Sequence, residues 1–144
     1  MRQFEQAKTV SGNSPYTLHF PEAASQTFEV GAPVVLNASG QVLEATSPVT
    51  SLVGIAGEPA TGVTGTSRLV WIANDDTRFA GVMAGAVQAD IKGKVNVVKT
   101  GALWALDRTA AGHFQVDEIG TLPNGQKFAR GRFLEDAAQL SLVA

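Results

Sequence analysis

The chain contains no cysteine among its 144 residues and only two histidines, His19 and His113. Without a thiol it can form no disulfide framework, no thiolate zinc site and no cysteine nucleophile. Charged residues make up 17% of the sequence, whereas roughly 25% is usual in soluble domains. This low charge content favours a protein that covers part of its surface with a partner.

The sequence also lacks a basic surplus and long apolar runs. Its formal net charge is −2, so it has no electrostatic footprint for nucleic acid. No stretch approaches the roughly 18 apolar residues of a membrane span, and the N-terminus lacks the apolar region of a secretory signal. We therefore expect a soluble protein made in a cytoplasm, with no nucleic acid and no membrane as partner.

Glycines punctuate the chain from Phe28 to the C-terminus, and 15 are present in all. Apolar runs separated by turn residues about every 8 to 12 positions are typical of antiparallel β-proteins. We predict strands at residues 34–37, 41–45, 52–57, 68–73, 79–84, 95–100, 103–106, 113–117, 128–134 and 139–143. Because closing a sheet removes exposed edges, the sequence predicts an all-β fold, a single antiparallel β-barrel or β-tulip-like domain over residues 28–144.

Residues 1–27 differ from the rest in being rich in Gln, Ser, Thr and Asn. They are predicted to form an extended N-terminal arm that contains one strand, at residues 16–20. Such an arm can fold back on its own barrel or lie across a neighbouring subunit, where Phe4 would anchor it. We predict that a chain without residues 2–14 still folds but attaches or assembles more weakly.

Helix signals are weak. The best candidate is residues 79–91, but Gly81 and Gly85 each cost about 1 kcal/mol in a helix interior. We therefore predict strand and loop there, and allow a short helix near residues 135–138. The Asn and Gly of residues 37–40 suit the tip of a hairpin, which needs positive φ angles.

Catalytic patterns are missing from the sequence. His113 and Asp117 could act as a base and its orienting acid, but no nucleophile or oxyanion donor accompanies them. The glycine-rich residues 54–67 have Thr66 where a phosphate-binding loop requires Lys. The sequence therefore predicts no catalytic residues, no cofactor-binding residues and no enzyme activity.

The cluster Asn74, Asp75, Asp76 and Thr77 supplies oxygen atoms that could bind a metal ion. It lacks the spacing of a calcium loop, with its central Gly and terminal Glu. Asn and Asp before Thr also form Asx-turns between strands. We predict the turn and no metal site.

Candidate partner contacts come from aromatic and arginine residues. Trp71 and Trp104 each lie in an apolar run, where they are either core residues or interface anchors. Arg130 and Arg132 flank a glycine, so strand alternation places both on one face, to bind a partner's carboxylates or to remain solvated. The candidate partner interface comprises Phe4, Tyr16, Trp71, Arg130 and Arg132.

The order of these segments resembles that of the small decoration (cement) proteins of tailed-bacteriophage heads. The resemblance begins with VGAPVVLNASGQVLEAT and LVGIAGEPATG and continues through RLVWIANDDTRFAGVMAGA and IKGKVNVVKTGALWALD. It ends with HFQVDEIG and FARGRFLEDAAQLSLV. It covers roughly residues 28–144 and consists of glycines and apolar alternation.

The resemblance implies a structural virion protein that binds the outside of the head after assembly in the host cytoplasm. Such proteins lock major capsid protein subunits together, often as homotrimers at local threefold axes, and have no catalytic residues or cofactors. A carbohydrate- or host-surface-binding β module of a virion is the alternative. A small β-barrel enzyme is the third possibility.

Overall fold

The computed structural model describes residues 3–140, which form an all-β domain. The strands are β1 (Glu5–Thr9), β2 (Thr17–Pro21), β3 (Pro33–Leu36), β4 (Val42–Glu44), β5 (Gly54–Ala56), β6 (Ser67–Ile72), β7 (Thr77–Val82), β8 (Lys94–Thr100), β9 (Leu103–Asp107), β10 (Phe114–Thr121) and β11 (Lys127–Phe133). The only helical element within residues 3–140 is a short 3₁₀ turn, Gln88–Asp90. No helix in this part of the chain is long and apolar enough to cross a membrane.

The strands form two antiparallel sheets. The six-stranded sheet has the order β1-β7-β11-β10-β8-β9 and curls into a half-barrel, and the five-stranded sheet has the order β2-β6-β5-β3-β4. Their inner faces enclose one hydrophobic core. The predicted all-β, barrel-like fold is confirmed.

Four phenyl rings form the centre of the core. Phe114 and Phe133 pack edge to face with ring centroids 5.1 Å apart. Phe79 lies 5.5 Å from Phe133, and Phe4 lies 5.7 Å from it. Tilted ring pairs at such distances add to the stabilisation that burial itself provides, so these rings help to fix how the strands that carry them pack together.

Residues 3–27 belong to the same two sheets as the rest of the chain. β1 pairs with β7, and β2 pairs with β6. Of the two alternatives left open for the arm, the structure shows the one in which it folds back on its own barrel. β1 was not predicted, because its polar residues and the register shift between Gln6 and Lys8 hide the alternation of a strand.

Most predicted strands are observed, with ends that differ by a few residues. The hairpin at residues 37–40 is confirmed: Asn37 Oδ1 accepts hydrogen bonds from the amides of Ser39 and Gln41, and Gly40 has a φ of +73°. The short helix near residues 135–138 is wrong. A turn stands there and ends in a bridge between Ala138 and Leu52.

The last predicted strand, at residues 139–143, is only partly covered by the structure. Residues 139 and 140 form a bend, and residues 141–143 lie outside the described residues. The bend is held by Gln139, whose side chain accepts from the Leu36 amide and donates to the Leu36 carbonyl. Through these two hydrogen bonds the Gln139 side chain lies between the end of β3 and the segment that leads into β5.

Candidate functional site

The five candidate interface residues do not form one patch. Arg130 and Arg132 lie on the six-stranded sheet. Trp71 lies within the five-stranded sheet, on β6, and Tyr16 lies at the edge of that sheet. Phe4 lies between the sheets. Each therefore has to be judged by its own contacts.

Phe4 is a core residue of this chain and not a free anchor for a neighbour. Only 2% of its surface is exposed. A Cβ at position 81 would lie 2.5 Å from its ring, so glycine there makes room for it. The expectation that Phe4 contacts a partner is wrong, because the phenyl group is already buried by its own sheet.

The two tryptophans have different environments. Trp104 is fully buried, as core packing predicts, and its indole N–H donates to Glu44 Oε2 at 2.8 Å. Trp71 is half-buried and packs against the core from β6. Tyr16 directly precedes β2; it is 45% exposed, and its carbonyl accepts from the Ile72 amide. Tyr16 and Trp71 therefore remain available to a partner.

Arg130 and Arg132 share one face of β11, as the alternation predicted. Arg130 Nη1 lies 3.0 Å from Glu118 Oε2, and Lys8 binds the other oxygen of that carboxylate at 2.6 Å. Lys8, aided by Arg130, holds the pKa of Glu118 below its ordinary value against the opposing effect of burial. These guanidinium and ammonium groups are thus engaged within the chain.

Arg132 is engaged in the same way. Its Nη1 lies 2.8 Å from Asp75 Oδ1, and its Nη2 donates to Gln115 Oε1 at 3.1 Å. On the same sheet Arg78 pairs with Asp117 at 2.7 Å. The outer face of the six-stranded sheet is therefore a network of internal ion pairs. A partner's carboxylate would have to compete with these pairs.

The structure does not bring His113 and Asp117 together. His113 Nδ1 lies 3.2 Å from Asp136 Oδ1, while Asp117 binds Arg78. Residues four apart on a strand are separated by about 13 Å at 3.3 Å per residue. A base and its orienting acid could not meet across that distance.

The Asn74 cluster is a turn. Asn74 Oδ1 accepts hydrogen bonds from the amides of Asp76 and Thr77 at 3.0 and 2.9 Å. The predicted Asx-turn is confirmed. Across residues 3–140, no group of three or more His, Cys, Asp or Glu residues is arranged to hold a metal ion.

Two open surface grooves have volumes near the lower limit of small-molecule sites. One, of about 300 Å³, is lined by Gln3, Phe4, Glu5, Glu29 and Val30. The other, of about 360 Å³, lies between the ends of β7 and β9. Its charged residues are already engaged, since Asp107 accepts from Thr109 and Arg108 binds Asp90. The first groove carries two carboxylates, Glu5 and Glu29.

Glu22 is a buried carboxylate that the sequence reading missed. Glu22 is completely buried. Its carboxylate oxygens accept hydrogen bonds from the Thr61 amide, the Thr61 hydroxyl and the Gly62 amide at 2.7 to 3.0 Å. Burial alone would raise its pKa. The hydrogen bonds from Thr61 and Gly62, with a smaller attraction from Arg68, outweigh that effect and place the pKa below 4.5.

The loop that Glu22 holds belongs to two segments without charged residues, 23–28 and 59–67, which we call the neutral end; Glu29, Glu58 and Arg68 flank them. The two segments are adjacent, because the Ala60 amide donates to the Phe28 carbonyl at 2.8 Å. Val63 is the most exposed large apolar residue of this surface, at 63%. Interface cores are poor in charged residues, so the neutral end has a composition suited to protein contact.

Comparison with known proteins does not assign the chain to a family. No protein-family model matches the sequence, and no curated protein matches it significantly. The function is therefore inferred from the residues themselves.

Proposed function

We propose that this chain is a structural virion protein that binds the outer surface of a phage head and cements major capsid protein subunits. The observation that carries the proposal is the distribution of charge. The outer face of the six-stranded sheet carries charges paired within the chain, whereas the neutral end carries none. Docking the neutral end on a protein shell desolvates no ionised side chain of those two segments, and it therefore avoids the cost of burying charge.

The physical advantage of such a protein comes from repetition. A homotrimer on a symmetric lattice makes several copies of one modest contact, so that its overall attachment is much stronger than any single contact. A molecule that binds the assembled shell and not the free subunits stabilises the assembled state. The barrel needs no catalytic group for this function.

The decisive experiment compares bare heads with heads to which the purified protein has been added. We expect the protein to co-sediment with intact heads and to raise the temperature at which they release DNA. Free capsid subunits are the control and should bind much more weakly. Equal binding to free subunits, or equal rupture temperatures with and without the protein, would contradict the proposal.

A carbohydrate- or host-surface-binding module is the second candidate, and Tyr16 and Trp71 favour it. Tyr16, which directly precedes β2, is exposed, and Trp71 on β6 is half-buried. Aromatic faces of this kind can stack on sugar rings. Retention on a glycan surface that is lost in Tyr16→Ala and Trp71→Ala, together with no binding to heads, would favour this function.

A further inference from the structure

Glu22 connects both limbs of the loop formed by residues 61–66. Its carboxylate binds the first limb through Thr61 and Gly62. Its main-chain N–H donates to the Thr66 carbonyl and its carbonyl accepts from the Gly65 amide, each at 2.8 Å. A fully buried glutamate is uncommon because burial of a charge is costly unless donors surround it. Here all of these donors and the acceptor belong to one surface loop.

Further hydrogen bonds fix the tip of this loop. The Val63 amide donates to Thr61 Oγ1 at 3.1 Å, and the Thr66 hydroxyl donates to the Val63 carbonyl at 2.9 Å. Gly62 and Gly65 have φ angles of +83° and +87°, which other residues adopt only with strain. The loop therefore holds Val63 in one position although that side chain is largely exposed.

We propose that the Glu22 carboxylate is a latch that fixes residues 61–66 as a contact element, with Val63 inserted into an uncharged apolar recess on the capsid protein. This inference rests on the proposed shell-binding function and deepens it by naming the contact. An exposed valine alone would require no explanation. The unusual feature is the buried charge that immobilises it.

The chemistry of the loop selects this kind of recess. Residues 59–67 contain no charged side chain. The nearest cation, Arg68, is occupied: its Nε donates to the Ser67 carbonyl, and its Nη1 donates to the Pro59 carbonyl and lies 3.7 Å from Glu58. The loop itself offers a charged partner surface no counter-charge, and Arg68 and Glu58 beside it lie close to each other, whereas an apolar recess would bury Val63. Because the loop is already ordered, binding loses little conformational entropy.

Val10 provides a matched control within the same chain. It is 66% exposed, and its loop is also held by a carboxylate, since Asp76 accepts from the Ser11 amide and hydroxyl at 2.8 Å. The Val10 loop precedes β2, whereas Glu22 follows it. The two valines therefore lie at opposite ends of that strand. The same substitution at each separates a specific contact from a general effect of surface charge.

The first experiment measures binding of Val63→Asp and Val10→Asp to intact heads. We expect Val63→Asp to weaken binding at least tenfold and Val10→Asp to change it less than twofold. If both variants bind like the wild type, the contact assignment is wrong while the cementing function stands. If the wild type itself does not bind heads, both the proposed function and the contact assignment fail.

The second experiment tests the latch without any shell. Hydrogen exchange is followed at the amides of Gly62 and Gly65 in Thr61→Val, which keeps the carboxylate and removes the hydroxyl donor, and in Glu22→Gln, which removes the charge. We expect exchange at both glycines to accelerate at least tenfold in Glu22→Gln and less in Thr61→Val. Val70 and Ile72, in the neighbouring strand, should exchange as before. Unchanged exchange at the glycines in both variants would refute the latch.

Discussion

The indole N–H of Trp104 and the Glu44 carboxylate join the two sheets, with 2.8 Å between Nε1 and Oε2. Glu44 lies on β4 of the five-stranded sheet, and Trp104 lies on β9 of the six-stranded sheet. Lys99 binds the same oxygen at 2.9 Å. Close by, the Val49 amide donates to the Val97 carbonyl at 2.9 Å. An edge strand of each sheet is thus tied to the other, which closes the barrel on this side.

Replacing Trp104 should weaken this closure. Trp104→Phe removes the indole donor and leaves space in the core, so we expect a loss of about 2–4 kcal/mol in the free energy of unfolding. Urea denaturation followed by circular dichroism measures it. Trp71→Phe is the matched control and should cost less than half as much, because Trp71 is half-buried. Equal losses would show that the link to Glu44 contributes little.

Removing the N-terminal segment should unfold the protein, contrary to the expectation from sequence. Phe4→Ala deletes a buried ring that packs against Phe114 and Phe133, and we expect it to cost about 3–5 kcal/mol. Deletion of residues 2–14 also removes β1 and exposes β7. Thermal unfolding should lose its cooperativity in the deletion and keep it, at lower temperature, in Phe4→Ala. A deletion variant with wild-type stability would contradict the observed role of β1.

Acid should destabilise the fold partly through Glu22. Its pKa in the folded state lies below the ordinary 4.5, so the unfolded chain binds the proton more readily. The stabilisation is present above the unfolded pKa and is lost as the pH falls through the folded pKa. We expect unfolding free energy to be nearly constant from pH 7 to about 5 and to fall at lower pH. Arg68 is the charged group that lowers the pKa of Glu22, so Arg68→Gln should raise that folded-state pKa slightly and make the loss of stability in acid smaller.

The control for this prediction is Glu22→Gln, which cannot titrate. It should be less stable than the wild type at pH 7, but its stability should fall less steeply below pH 4.5. Glu118 and Asp76 also have lowered pKa values, through Lys8 and Ser11 respectively, so some acid sensitivity will remain. Identical acid slopes in the two proteins would exclude Glu22 as a contributor.

The turn at Asn74 should depend on its amide and not on a metal ion. Asn74→Ala removes the acceptor for two main-chain amides, and we expect a loss of about 1–2 kcal/mol. Addition of EDTA should leave the melting temperature of the wild type unchanged. A decrease of several degrees with EDTA, reversed by a divalent cation, would identify a metal site at this turn.

Local signals account for what could be predicted from sequence. The hairpin at Asn37 and the Asx-turn at Asn74 depend on residues within four positions of each other, and both were predicted. The shared face of Arg130 and Arg132 follows from strand alternation alone. Which acids they bind could not be predicted, because Asp75 is 57 residues away from Arg132.

β1 and the Glu22 latch show why the rest was missed. Glu5 pairs with Ala80, and Glu22 binds a loop 39 residues later. The residues next to a glutamate in sequence do not show whether its carboxylate is buried among main-chain donors or exposed on the surface. Its burial becomes visible only when the sheet brings both loop limbs to it.

The side chain of Gln3 has a consequence for crowding. The side-chain oxygen Oε1 of Gln3 accepts a hydrogen bond from the main-chain N–H of Trp104 at 2.8 Å, and its Nε2 donates to the Ala102 carbonyl at 3.4 Å. The side chain thus pairs with β9 as one peptide unit of an adjacent strand would. An open strand edge can recruit the strand of another molecule. One side chain therefore occupies the β9 edge at this point. A protein that accumulates at high density gains protection from polymerising through that edge.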